Sequence, residues 1–294
     1  MEHQYISTTT LDNSVYFDID HPCFTAKISQ FGGQLISYIP KGKNEIIWLS
    51  NKAKLDGTKP IRGGAPICWP WFGPATDEKK EEPQHGYVRN LNWNITHIDV
   101  NQQSMEIILS PQIPNELKHK IPLTVELKFT FSFEMNVPVD SSNVCTIELT
   151  TVNSTDIPQE LSQAIHTYFA IKSISDFRIT GLNDVNYIDK LDNQIVKNQQ
   201  GDILITEHTD RIYITDLASV DLKSTNMDLK ISGKGHDSIV IWNPWVDNAK
   251  AMSDFEDEGY KHMICVEMAN TQNLTLHPGK SHSLVQSITP SSLV

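Results

Sequence analysis

The 294-residue chain has only four cysteines, and none of them is spaced to bind a metal or to staple a small fold. Cys23, Cys68, Cys145 and Cys265 are far apart and contain no Cys-x-x-Cys pair, which argues against a zinc site or a disulfide framework. The eleven histidines lack His-x-His and His-Glu-x-x-His spacing, so no metal is expected. Neither a Walker-type loop nor a dinucleotide glycine motif is present, which leaves no support for a nucleotide and no cofactor to expect. A Gly-x-Ser-x-Gly elbow is missing too, so serine hydrolysis has no carrier. No apolar run approaches the ~20 residues of a membrane helix. The opening residues MEHQYISTTTLDNSVYFDID have no basic start followed by an apolar stretch and do not read as a secretory leader. Asn-x-Ser/Thr sequons at Asn94, Asn153 and Asn273 would matter only in a secreted protein. The expected compartment is a reducing cytoplasm.

Basic charge is in deficit. Lys and Arg number 24 against 36 Asp and Glu, a formal charge of −12. A field of that sign repels nucleic acid and anionic membranes, and neither is expected as a partner. It also repels a phosphorylated metabolite, so a phosphate site must be built locally from a few cations. The cluster Lys79-Lys80-Glu81-Glu82 is mixed in sign and reads as an exposed loop. There is no internal repeat, low-complexity tract or Pro/Gly/Ser linker, so residues 1–294 are expected to form a single, monomeric domain.

What is present is strand. LTVELKFTFSF, from Leu123 to Phe133, alternates strictly, with Leu123, Val125, Leu127, Phe129, Phe131 and Phe133 on one face. Shorter alternations occur at 144–153, 104–110, 210–215, 228–232, 238–243 and 283–288, separated by clusters of turn-forming residues. One short helix is expected after Pro244, over Val246 to Phe255. Many strands with almost no helix predict an all-β fold of antiparallel sheets packed as a sandwich.

Three segments carry candidate chemistry. Glu267 sits in MICVEMAN (263–270), an almost wholly apolar strand read as buried on both faces. A carboxylate there is either held by an Arg or backbone amides, or tuned to exchange protons near neutrality. His166 in LSQAIHTYFAI is either a satisfied core histidine or an acid–base group, and the two could face each other across one pocket. In IRGGAPICWPWFGP (61–74), Gly63 and Gly64 allow a sharp turn after Arg62. Trp69, Trp71 and Phe72 there read as a sugar platform or as a plug for one end of the sandwich. In QHGYVRNLNW (84–93), His85 and Arg89 flank another Gly. Arg62 and Arg89 suit bidentate phosphate recognition, or else form surface ion pairs.

Taken together, IRGGAPICWPWFG, QHGYVRNLNW, HTYF, DRIY (210–213), SIVIWNPW and DEGYKHMICVEMAN resemble the hexose-6-phosphate mutarotases, the glucose-6-phosphate 1-epimerase branch of the aldose 1-epimerase superfamily. These elements occur in the family's order over roughly residues 62 to 270. The resemblance implies a galactose-mutarotase-like β-supersandwich and an isomerase that interconverts the α and β anomers of a hexose 6-phosphate. It implies His166 as the general acid toward the ring oxygen and Glu267 as the general base toward the anomeric hydroxyl. Arg62 and Arg89 match cations for the 6-phosphate, Gln84 and Asp210 match substrate hydrogen-bonding positions, and His85 is their neighbour. Trp-Pro-Trp-Phe at 69–72 leaves the pocket shape, and hence the hexose preferred, open. A neutral-sugar aldose 1-epimerase would share His166 and Glu267 without needing the arginines. A non-catalytic sugar-binding protein on the same fold would need neither as a proton carrier. A glycosidase would set two carboxylates across the bond, and only one stands out.

Overall fold

The computed structural model describes residues 3–74, 82–134, 143–225 and 228–291. The expected loop at Lys79-Lys80-Glu81 therefore lies outside the described residues.

Among the described residues the chain forms three antiparallel sheets. The first is a meander of Ile6–Leu11, Ser14–His21, Phe24–Ser29 and Leu35–Pro40. Its opening hairpin turns on Asp12 and Asn13, both at positive φ, the conformation that Asp and Asn tolerate best in tight turns. The second, eight-stranded sheet runs Ile195–Asn198, Asn186–Asp189, Thr209–Ile214, Ser238–Asn243, Met263–Leu276, Gln159–Ile165 and Ile67–Cys68, with Tyr168–Ala170 also paired to Met263–Leu276. The third, also eight-stranded, runs Phe177–Thr180, Ser219–Ser224, Asp228–Lys234, Ser281–Ser291, Val144–Val152, Thr124–Ser132, Ser104–Pro111 and Trp93–Val100.

The alternation read from Leu123 to Phe133 is realised: Val125, Leu127, Phe129, Phe131 and Phe133 are buried, and their neighbours are half-buried or exposed. They meet Cys145, Ile147 and Leu149 across the register and merge with inward residues of the other two sheets into one apolar cluster reaching from Phe17 to Ile288. Each such side chain removed from water stabilises the fold by about 1.5–3 kcal/mol before entropy is counted. The short helix expected after Pro244 is present as Trp245–Ala251, about two turns, and stops before Phe255 because the chain turns at Met252, whose extended backbone ends it. No helix among the described residues is long and apolar enough to cross a membrane.

Met263–Leu276 is the strand that matters most. Its first eight residues are all buried, and the two faces are buried for different reasons. Ile264, Val266 and Met268 point into the main core. Cys265, Glu267 and Ala269 point the other way, toward small separate clusters with Val240, Ala164, Tyr168 and Trp242. That second face is the floor of a cavity.

Candidate active site

The cavity has a volume of about 440 Å³ and is lined by every residue that the sequence put forward as a site residue: Arg62, Gln84, His85, Arg89, His166, Asp210 and Glu267. Pairing explains how they meet. His166 falls between Gln159–Ile165 and Tyr168–Ala170, both hydrogen-bonded to the strand that carries Glu267. His166 N–H donates to Pro66 O at 2.9 Å and Tyr168 N–H to Gly64 O at 2.8 Å, so the segment after Arg62 edges the same floor. Gly63 and Gly64 are required there. A Cβ on Gly63 would lie 2.6 Å from Trp48 O, and one on Gly64 2.6 Å from Leu35 O, with both residues at positive φ. Behind the floor, Thr167 donates to Gln286, whose amide donates to Val266 O at 2.9 Å. Buried, mutually satisfied groups of this kind fix the backbone on which His166 and Glu267 are mounted.

His166 Nε2 lies 3.4 Å from Glu267 Oε1. This corrects the expectation of groups facing each other across a pocket: they stand side by side on one floor, with no room for a sugar ring between them. The Glu267 side chain is 1% exposed and that of His166 14%. Glu267 Oε2 and His166 Nδ1 are buried with no hydrogen-bond partner. Neither is therefore a satisfied structural group, and no arginine or backbone amide compensates the carboxylate among the described residues. Burial pushes Glu267 well above the usual carboxylate range; Asp210 adds to the rise and Lys190 opposes it. Burial, reinforced by Arg89, Arg62 and Lys190, pulls His166 down to about 3. The surroundings favour a neutral imidazole beside a protonated carboxyl, with one proton held between them.

Aromatic rings shape the space. Tyr168 stacks on His166 at 5.0 Å and 10°, and Trp242 meets it edge-on at 6.2 Å. The Trp69–Phe72 segment divides between its two readings. Trp69 is fully buried, joins the main core and donates its indole N–H to Thr151 Oγ1 at 2.9 Å, which is the plug. Phe72 lines the cavity and meets His166 at 6.4 Å, which is the wall. Trp71 packs on Tyr87.

The cations differ in how they are held. Arg62 Nη1 donates to Tyr168 OH at 3.2 Å, and its Nε lies 3.3 Å from Asp254 Oδ1, at ion-pair distance but out of line for a hydrogen bond. Arg89, on the short 3₁₀ turn Val88–Asn90, donates Nη2 to Gln84 O at 2.7 Å and has no ion-pair partner among the described residues. Burial lowers the pKa of Arg89, and the like charge of Arg62 adds to the effect. His85 Nδ1 accepts from Gly73 N–H at 3.0 Å, which puts its proton on Nε2, and burial together with His166 pulls its pKa down to about 2, so the ring is a neutral donor. Asp210 is paired with Lys190 at 3.0 Å.

Sequence reasoning missed Lys59, Tyr168, Lys190, Trp242 and Asp254, all of which line the cavity. Tyr168 stood inside the quoted HTYF element, and stacking on a neighbouring histidine was its available signal. Lys190 and Asp254 are polar residues just beyond a strand and a helix, and nothing local marks them.

Known proteins share both the sequence and the fold. The aldose 1-epimerase family model matches residues 16–289. A protein of Escherichia coli (strain K12) named "Putative glucose-6-phosphate 1-epimerase" is 31% identical, covering 96% of this chain and 92% of that protein. A namesake from Cenchrus ciliaris is 34% identical over 87% of this chain and 78% of its own length. The structure of a "putative mutarotase" from Salmonella typhimurium superposes with a TM-score of 0.87 at 27% identity, covering 100% of this chain and 96% of that one. A galactose mutarotase related enzyme from Lactobacillus acidophilus shares the fold, with a TM-score of 0.70 at 16% identity over 94% of this chain and 97% of that one. The fold is thus the mutarotase-like β-sandwich, and the chain belongs to the aldose 1-epimerase family.

Proposed function

We propose that this chain is an isomerase that interconverts the α and β anomers of a hexose 6-phosphate, glucose 6-phosphate first among them, with His166 and Glu267 as its proton carriers. The observation that carries this reading is the 3.4 Å separation of two buried, otherwise unpartnered acid–base groups on the floor of a sugar-sized cavity. The two oxygens that exchange protons during ring opening, the ring oxygen and the anomeric hydroxyl, are bonded to the same carbon. An acid and a base serving them must be neighbours, as these are.

The proton count closes. From imidazolium and carboxylate, His166 gives a proton to the ring oxygen while Glu267 takes one from the anomeric hydroxyl, and the C1–ring oxygen bond breaks to leave a free aldehyde. The pair is then neutral imidazole and carboxylic acid, the distribution that burial favours. Rotation about C1–C2 presents the other carbonyl face. Reclosure reverses both transfers and delivers the opposite anomer. Direct contact at 3.4 Å lets the proton return between the two groups, so the site serves both directions. Positioned proton transfer supplies typically ~10²- to 10⁴-fold per step, sufficient for a reaction that already proceeds in water.

The phosphate preference rests on local cations in an acidic chain. Lys59, Arg62, Arg89 and Lys190 line the cavity against Asp210, Asp254 and Glu267. Arg89 has the strongest claim to an anion, being half-buried, near a like charge and without an ion-pair partner among the described residues. Gln84, Asp210 and the neutral His85 line the same cavity and are the proposed partners of sugar hydroxyls. The test is two-dimensional exchange NMR on α- and β-glucose 6-phosphate, with glucose as the comparison. Faster anomer exchange for the phosphosugar supports the reading, equal acceleration of both sugars moves it to a neutral-sugar epimerase, and no acceleration ends it.

A further inference from the structure

Cys265 adds a third donor to the pair. It lies two residues before Glu267 on the same face of Met263–Leu276, fully buried, in register with Tyr168 on one side and Trp242 on the other. Its Sγ, a ring nitrogen of His166 and a carboxylate oxygen of Glu267 all lie within 4.8 Å of one another. A tetrahedral ion with bonds of about 2.0–2.3 Å to nitrogen, oxygen and sulfur sets its ligands roughly 3.3–3.7 Å apart. The imidazole–carboxylate edge, at 3.4 Å, already has that spacing. The thiol has to close by no more than about 1 Å, a small side-chain adjustment.

We propose that His166, Cys265 and Glu267 form an inhibitory site for a thiophilic divalent cation, Zn²⁺ above all, with the fourth coordination position open to the cavity. Inhibition rests on the anomer-exchange reading, since the ion would occupy both proton carriers; the binding itself does not. Thiolate, carboxylate and neutral imidazole together carry two negative charges, so the complex with a divalent ion is neutral, the form that a buried floor tolerates best. Binding releases the thiol proton and the proton held by the His166–Glu267 pair, with no change of oxidation state, so affinity rises with pH. Lys59, Arg62, Arg89 and Lys190 face the site and weaken it, Asp210 and Asp254 offset them in part, and His85, Tyr168 and the buried Cys68 are further titratable groups around it. Mg²⁺ and Ca²⁺ demand six or more oxygen ligands and find one carboxylate here, so they are excluded.

Co²⁺ and Zn²⁺ are the probes, added to the intact chain. Co²⁺ should give a thiolate-to-metal charge-transfer band in the near ultraviolet, and Zn²⁺ should displace it and abolish anomer exchange, reversibly with EDTA and not with Mg²⁺. In Cys265→Ala the band should vanish and Zn²⁺ affinity by calorimetry should fall by about 100-fold or more, while exchange without metal persists. Cys265→Ser, close in volume, serves if alanine destabilises the fold, with thermal melting as the check. A wild-type protein without the Co²⁺ band, or a Cys265 variant inhibited by Zn²⁺ at the wild-type concentration, overturns the proposal. If the chain exchanged no anomers at all, the cobalt band and zinc isotherm would still decide whether the metal site exists.

Discussion

Lys190 Nζ lies 3.0 Å from Asp210 Oδ2, and both line the cavity whose floor carries Glu267. The ion pair couples a cavity-lining carboxylate to the proton affinity of Glu267. Asp210 raises that affinity and Lys190 lowers it. Lys190→Met therefore leaves Asp210 uncompensated, and Glu267 binds its proton more tightly. Arg62, Arg89, His85 and Asp254 also face the site and are unchanged by the substitution. The alkaline limb of the exchange-rate profile should move to higher pH. Lys190→Arg should restore it. An unshifted profile in the Met variant would show that Lys190 only packs.

The proton held between His166 and Glu267 sets the response of rate to pH. Taking up a second proton on an imidazole held near 3, or losing the first, disables the pair, so the profile is a bell with a low acid limb. Both Glu267→Gln and His166→Ala should lower exchange by about 100-fold or more. The NMR exchange assay reads both, and a near-normal rate in either variant removes this mechanism.

Stability should respond as well, with a sign fixed by the same burial. The proton affinity of Glu267 is higher in the folded chain than in the unfolded one. Its favourable contribution is thus complete below its ordinary value of 4.5 and is lost as pH rises toward the folded value. Glu267→Gln has no such loss. The melting temperature of the variant relative to wild type should therefore increase as pH is raised above 4.5. His166 behaves oppositely: held near 3 in the fold against 6.5 when unfolded, it costs stability as pH falls through that window. Thermal melts across the two ranges check both signs, and a gap between wild type and the Gln variant that stays constant with pH would contradict the first.

How much of this could be read from the chain follows from locality. Thr124–Ser132 declares itself by alternation, because one face meets the core and the other does not. The apolar run around Glu267 correctly signals burial on both faces, yet gives no hint that one of them is a cavity floor. The first sheet does not declare itself in the sequence although Asp12-Asn13 marks its hairpin, because Ser14–His21 is buried too irregularly to alternate. His166 and Glu267 could be named one at a time, but their side-by-side placement depends on strand pairing across a hundred residues, which periodicity does not encode. Asp254 reaches Arg62 from a loop anchored at a distance in sequence: Asp254 O and Glu256 accept from Ser50 Oγ, and Glu256 also accepts from Asn51 N–H.

Gly86 gives a test of how the Arg89 segment is placed. It stands at φ +75, and an added Cβ would lie 2.0 Å from Trp69 O, a backbone atom that cannot yield without moving the strand bridge between the two residues. Left-handed strain alone costs on the order of 1–3 kcal/mol, and the collision adds to it. Gly86→Ala should lower the melting temperature and, in whatever fraction folds, displace both His85 and Arg89. Gly73→Ala, also at positive φ but with no atom within 4 Å of the added Cβ, should show the strain alone. Equal melting temperatures for the two variants would mean that the Trp69–Gly86 contact is not what fixes the segment.

The two arginines should separate by substrate. Arg62 is committed to Tyr168 and Asp254, so truncating it frees a carboxylate and loosens the ring stacked on His166. Arg62→Ala should raise KM for glucose 6-phosphate much more than for glucose, with some loss of kcat as Tyr168 relaxes. Arg89 has no ion pair among the described residues and touches His166 only through its field, which lowers the proton affinity of the imidazole. Its removal should act almost wholly on KM for the phosphosugar. Charge-assisted hydrogen bonds of about 1.5–3 kcal/mol correspond to roughly 10- to 150-fold in KM. Arg89→Lys keeps the charge without the planar fork and should recover only part of the loss. If Arg89→Ala changed KM for glucose and glucose 6-phosphate by the same factor, this guanidinium would not be reading a phosphate, and the neutral-sugar alternative would gain what the phosphosugar reading lost.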